Sequence, residues 1–274
     1  MSVAPAARRA AARTRTIAVT GWAVHVPGAD PLATPPERAH ELLGRRGLLA
    51  KEPATRLALC AVHRALGLPA GAPKPAGPPD PRVAVVASSN LGNVATVRRV
   101  AEAVRGGGIR EVSPLDVPNA SSNVVASSVA IWFRLGGPNL MVCSGSTSGL
   151  DAIALASLLL RAGRADRCVV VGAEPDDEVA GALRRGGRAG AGAVVLEPAA
   201  PGVAPAVVLG PVRPAPDGGQ GSDPAAELGD LYGAHGVVQV ALGAALVAAG
   251  APAVTCVCGD EADGWRSVEL EPGR

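Results

Sequence analysis

The segment Gly137-Pro138-Asn139-Leu140-Met141-Val142-Cys143-Ser144-Gly145-Ser146-Thr147-Ser148-Gly149-Leu150-Asp151-Ala152 joins an apolar strand to a Ser/Gly-dense turn, and the turn to a helix. A helix that follows a strand so abruptly folds back over the sheet to which the strand belongs, which points to a layered α/β architecture. The side chains of the turn then lie at the end of the strand and open on the mouth of the fold.

The same alternation runs along the chain. Residues 16–24 read as a buried strand that stops before Pro27. Residues 53–68 read as an amphipathic helix, with Leu57, Leu59, Cys60, Val62, Ala65 and Leu66 near helical spacing. The Pro/Gly-rich stretch 68–81 is a connector, 82–89 a second strand and 93–104 a helix. Residues 116–135 read as one Ser-capped helix, followed by the strand 140–144, the helix 149–161 and the strands 167–172 and 190–198. The apolar run 237–249 reads as a buried helix. Strands alternating with helices imply an α/β sheet covered on both faces.

Aromatics make up only 2% of the 274 residues, against 48% apolar residues overall, so the core must be built from small aliphatics packed close to backbone. A net charge of +2 and scattered arginines argue against a nucleic-acid surface. No apolar run reaches the length of a membrane helix. The five cysteines lie mostly in apolar runs such as Cys168-Val169-Val170-Val171, the pattern of reduced thiols in a cytoplasmic protein. Cys256-Val257-Cys258 has no second ligand pair beside it, so no metal is expected, and no cofactor. Residues 1–15 carry Arg and Ala without an apolar core and read as a disordered lead-in rather than a secretory signal.

Four stretches, taken in order, resemble the β-ketoacyl synthases, the thiolase-fold condensing enzymes. Val19-Thr20-Gly21 is similar to the family's opening strand. Pro118-Asn119-Ala120 precedes Gly137-Pro138-Asn139 as the family's Pro-Asn segment precedes its Gly-Pro-Asn. Arg161-Ala162-Gly163-Arg164-Ala165-Asp166 leads into the strand ending at Glu174, and Gly190-Ala191-Gly192-Ala193-Val194-Val195-Leu196-Glu197 resembles the family's Gly-rich strand. The resemblance implies a layered α-β-α-β-α fold. Residues 16–198 would form its N-terminal half and 199–274 a shortened C-terminal half.

Alignment on Gly-Pro-Asn and on Ser148-Gly149 puts the family's nucleophilic cysteine at Ser146. The family also uses two imidazoles to polarise a malonyl thioester and backbone N–H groups as an oxyanion hole. No His-Gly-Thr occurs here, and the nearest trace is Gly219-Gln220-Gly221-Ser222-Asp223-Pro224-Ala225-Ala226-Glu227. In Gly229-Asp230-Leu231-Tyr232-Gly233-Ala234-His235-Gly236, Asp230 falls on the second histidine and His235 on a small residue.

Each candidate also has a plain reading: Ser146 as a structural turn serine, Cys143 as a thiol buried by strand alternation, His235 as a cap or interface histidine. His25, His40 and His63 read as surface residues, and Glu174-Pro175-Asp176-Asp177-Glu178 as a solvated loop.

The resemblance implies a chain of the acyltransferase class that is inactive alone as a condensing enzyme. It would act like a chain-length factor, paired with an active ketosynthase and served by an acyl carrier protein, or else paired with itself. Asn119, Trp132, Phe133, Leu150 and Ile153 would line an acyl pocket or dimer face. Two alternatives stand beside this reading: an acyltransferase or thioesterase using Ser146 with Asp230 or His235 as base, and a carrier-protein or acyl-chain binding module without chemistry.

Overall fold

The Val- and Ala-rich runs form the strands of one mixed sheet. A computed structural model describes residues 15–216, 221 and 223–273. The lead-in read over 1–15, Arg15 apart, and positions 219, 220 and 222 of the Gly-Gln-Gly-Ser trace lie outside the described residues. The first five strands are β1 (Ile17–His25), β2 (Val83–Ser88), β3 (Asn139–Val142), β4 (Arg167–Glu174) and β5 (Gly190–Pro198). Their order across the sheet is β3-β2-β4-β5-β1. β2 runs parallel to β3 and β4, while β5 is antiparallel to β4 and β1. β2 is buried throughout, as continuous runs such as Val83-Ala84-Val85-Val86-Ala87 require of a strand covered on both faces.

Beyond β1 the sheet continues through β6 (Val208–Leu209) to β9 (Gly264–Glu271), which also pairs with β7 (Arg213–Pro214) and β8 (Val254–Asp260). All of these later pairings are antiparallel. β8 alternates between buried Val254, Cys256 and Cys258 and half-buried neighbours, the period-two pattern of a strand with one face on a core.

Seven helices accompany the strands among the described residues: α1 (His40–Leu43), α2 (Pro53–Ala65), α3 (Val94–Gly107), α4 (Val124–Phe133), α5 (Ser148–Arg161), α6 (Glu178–Leu183) and α7 (His235–Ala248). One core packs α2 and α4 against one face of the sheet, through Leu57, Ala61, Val125 and Val129 onto Val85, Val169 and Val195. The other core packs α5 and α7 against the opposite face and carries Cys256, Cys258, Val268 and Leu270 of the β8–β9 hairpin. α5 and α7 therefore lie between the main sheet and the hairpin, and the layers run helices, sheet, helices, hairpin.

The two inner helices cross at glycines. A Cβ on Gly149 would lie 2.8 Å from the Gly236 Cα, and one on Gly236 would lie 2.8 Å from the Leu150 nitrogen. Backbone meets backbone at the N-termini of α5 and α7, which brings the Ser146 turn and the segment around His235 to one place.

Several expectations are corrected. The helix read over 116–135 is broken: a short 3-10 turn, Val117–Ala120, precedes α4. Pro118 cannot donate to a helical ladder, and Asn119 turns its amide to the Leu115 carbonyl at 2.9 Å and also to that of Ala50. His25 and His63 are buried, not surface residues, and hydrogen-bond to the Thr34 and Pro69 carbonyls. Burial, helped by the charge of Arg64, lowers the His25 pKa to about 4, so its imidazole is neutral. Glu174, read as part of a solvated loop, ends β4 at 2% exposure. Cys143 is exposed because β3 stops at Val142, one residue short of it. Among the described residues no helix is long and apolar enough to cross a membrane.

Candidate functional site

Ser146 sits in the 3-10 turn Gly145–Thr147 that leads into α5. The turn depends on Gly145 at φ +68°, in the left-handed region. Asn90, just beyond β2, braces it from behind: its Nδ2 donates to the Gly145 carbonyl at 2.9 Å, and its Oδ1 accepts from the Gly145 N–H at 3.2 Å. Glu174 supports Asn90 in turn, accepting the backbone N–H groups of Asn90 at 2.6 Å and Leu91 at 3.0 Å. Burial raises the Glu174 carboxyl to about 7 in spite of these donors. On α5, Asp151 accepts from the hydroxyls of Ser144 at 2.6 Å and Thr147 at 2.7 Å, and from Arg266 of β9 at 3.1 Å.

The tip of the β8–β9 hairpin closes over this turn. The Ser146 hydroxyl donates to Asp260 Oδ2 at 2.5 Å, and the Ser146 backbone N–H donates to Asp263 Oδ2 at 2.7 Å. Asp260 Oδ1 also accepts the N–H groups of Ala262 and Asp263. The Ser146 hydroxyl, followed by the Asp263 N–H, holds the Asp260 carboxyl below the usual range. Ser146 itself is only 6% exposed.

Ser146, Asp230 and His235, the three chemical candidates read from the sequence, line one cleft of about 460 Å³, with Arg184, Tyr232, Cys258 and Trp265 on its walls. Asp230 and His235 are committed elsewhere, however. Asp230 accepts from Arg184 Nε at 2.6 Å and from the Tyr232 N–H at 2.8 Å, and the Arg184 guanidinium stacks 3.9 Å above the Tyr232 ring. His235 Nε2 meets Asp223 Oδ2 at 3.0 Å, and Gln239 Nε2 donates to Asp223 Oδ1 at 2.8 Å. Burial opposes ionisation of Asp223, but these two partners outweigh it and lower its pKa to about 2. The His235 Nδ1 is buried without a partner. With Asp223 ionised, the tautomer that fits carries its proton on Nε2.

In this arrangement both polar groups of Ser146 face carboxylates of the hairpin tip. A general base for a serine hydroxyl needs basicity near the working pH, whereas Asp260 is held more acidic than an ordinary carboxylate. An oxyanion hole needs a free N–H where negative charge develops, and the Ser146 N–H already faces a carboxylate. The Cys258 thiol on the cleft wall is pushed up to about 12 by burial, and that of Cys143, exposed but partly desolvated by its surroundings, is raised by that desolvation and then by the charge of Glu174. Among the described residues no group of three or more His, Cys, Asp or Glu side chains is placed to hold a metal ion.

The sequence model of the family described as "Beta-ketoacyl synthase, N-terminal domain" matches residues 41–188, more than half of the chain. The chain belongs to the β-ketoacyl synthase family. Over 94 residues it is 31% identical to the 3-oxoacyl-[acyl-carrier-protein] synthase 2 of Coxiella burnetii, covering 34% of this chain and 23% of that protein. With the synthase of the same name from Vibrio cholerae it shares 33% identity over 93 residues, 34% of this chain and 22% of that one. The match thus spans less than a quarter of either curated relative. In fold, this ketosynthase-family chain resembles the ishigamide ketosynthase/chain length factor, with a TM-score of 0.67 and 22% identity over 94% of this chain and 100% of that one. It also resembles a chain of the AntDE:AntF complex, a type II PKS acyl-carrier protein with its ketosynthase bound to the hexaketide. The TM-score there is 0.72 and the identity 12%, over 94% of this chain and 99% of that one.

The ketosynthase-like side chains read as an acyl pocket or dimer face are placed inside this chain. Asn119, Trp132, Phe133, Leu150 and Ile153 are all buried, the last four within its two cores. The apolar groups left at the surface of that region are Leu115, Val117 and Ile131. Sequence reasoning missed Asp260, Asp263, Asp223 and Arg184. For the two hairpin residues a signal was present: Gly259-Asp260-Glu261-Ala262-Asp263-Gly264 is a polar, glycine-bounded tip between two β-rich runs. Nothing in the sequence indicated that the tip would reach a turn more than a hundred residues away.

Proposed function

We propose that this chain is a non-catalytic, chain-length-factor-like subunit that pairs with an active β-ketoacyl-acyl-carrier-protein synthase in polyketide or fatty-acid-type biosynthesis. The observation that carries this reading is the double engagement of Ser146, its hydroxyl by Asp260 and its amide by Asp263. A turn closed by two carboxylates keeps its architecture and cannot stabilise a tetrahedral oxyanion. The absence of cysteine at 146 and the carboxylate at 230, bound to Arg184, support the same reading.

Pairing is supported by the sheet edge. β3 hydrogen-bonds only to β2 among the described strands, so its other edge offers free backbone groups to a partner strand. Residues 199–274 are read as the shortened second half; among its described residues one inner helix and a hairpin cover the first half. The acyltransferase alternative requires a free oxyanion donor and a base beside Ser146; the Asp263 carboxylate on the Ser146 N–H opposes the first, and the lowered basicity of Asp260 the second.

The test is incubation of the purified chain with acyl-carrier thioesters, read by intact mass. No adduct is expected on the wild-type chain. An adduct that disappears in Ser146→Ala would replace this reading with the acyltransferase one.

A further inference from the structure

Away from the Ser146 cleft, the loops over 43–51 and 71–75 and the last turn of α4 enclose a second cleft of about 820 Å³. It shares no lining residue with the first. Arg45, Arg46, Lys51, Lys74 and Arg134 stand around it, with no Asp or Glu among the lining residues. Among the described residues none of these five cations forms an ion pair. In a chain whose net charge is only +2, this is a concentrated positive field inside a concavity, where low-dielectric walls strengthen it.

The cations are held together although they repel. Lys51 Nζ donates to Ser128 Oγ of α4 at 2.9 Å. Lys74 Nζ lies 3.3 Å from the centre of the Trp132 ring. Gly47, at φ +88°, lets its loop pass so close that a Cβ there would be 2.7 Å from that same Nζ. Among the described residues Arg134 is one of two non-glycine residues at positive φ, where it ends α4 in the left-handed conformation. Burial lowers the Lys74 ammonium pKa, and the charges of Arg46 and Lys51 lower it further. One hydroxyl and one aromatic face leave most of this charge unmatched.

We propose that this cleft binds a small molecule carrying at least two phosphate charges, gripped by the Arg45 and Arg46 guanidinium forks and by Lys51 and Lys74. The exposed Ile131 at the rim would face its apolar part. The guanidinium fork matches the oxygens of a phosphate, and a half-open cleft of this size admits a small ligand. The site is independent of the role proposed for Ser146.

The test is calorimetric titration of the whole chain with sodium pyrophosphate at low ionic strength, repeated with Arg46→Ala, Lys74→Gln and Arg98→Ala. Arg98 is an exposed cation of α3 paired with Glu102 and serves as the control. One saturable site is expected, weakened about tenfold or more by Arg46→Ala and by Lys74→Gln and changed less than about twofold by Arg98→Ala. Absence of saturable binding, or equal weakening by all three substitutions, overturns the proposal. So does a phosphate-free acidic polymer, polyglutamate, binding as tightly as pyrophosphate, since the cleft would then read negative charge alone.

Discussion

Ser146 and Glu174 illustrate how two buried polar side chains can be fixed by opposite balances. Ser146 keeps both of its polar groups satisfied by hairpin carboxylates. Ser146→Ala is expected to lower stability by about 1 kcal/mol, the net worth of one hydrogen bond whose acceptor keeps other donors; urea denaturation checks this. Glu174 is the larger lever. Its pKa is raised from 4.5 to about 7, so below pH 4.5 both folded and unfolded forms carry it neutral. As pH rises from there the unfolded chain ionises first, and stability falls until the folded carboxyl ionises near pH 7. The loss is roughly 3 kcal/mol across that window. Denaturation of wild type and of Glu174→Gln at pH 4.5 and pH 7.5 measures it: the wild type is expected to lose more stability over this interval than the variant. Equal changes in the two proteins would show that Glu174 is not the group responsible.

At the scale of elements, the site is made by the crossing of α5 and α7 and by the hairpin laid over them. Gly236→Ala puts a methyl group 2.8 Å from the Leu150 backbone nitrogen and 2.9 Å from the Cys258 sulfur. A loss of about 1 to 3 kcal/mol is expected from that overpacking. Gly181→Ala in α6 meets nothing within 4 Å and should be neutral or stabilising by up to about 1 kcal/mol. Thermal melts of the two variants, compared side by side, decide whether the crossing is as tight as described.

The elements were far more legible in the sequence than the site. Runs such as Cys168-Val169-Val170-Val171 and the helical spacing of Leu59, Val62 and Leu66 report local periodicity, and the strands and helices expected from them fell close to their bounds, whereas α1, α6 and β6 to β9 were not expected. The helix read over 116–135 breaks where Ser121 turns extended, with Asn119 tied to the Ala50 carbonyl outside the helix, a contact that no local pattern announces. The family register singled out Ser146, Asp230 and His235, and the fold brings all three to one cleft. Their actual partners, Asp260, Asp263, Arg184 and Asp223, follow from the folding of distant segments onto one another, which no local pattern encodes.

For the whole molecule, β3 lies at one edge of the sheet and the Ser146 turn is closed by the hairpin, and the proposed role is a subunit that contributes shape rather than reaction. Such a chain should be found in a complex and remain chemically silent within it. The most direct measurement is native mass spectrometry of this chain co-expressed with a full-length ketosynthase from its own host and then exposed to an acyl-carrier thioester. The expected result is a one-to-one complex in which the acyl adduct is found on the ketosynthase only. A chain that stays alone in the presence of that ketosynthase, or one that itself carries the acyl group at Ser146, would contradict the account.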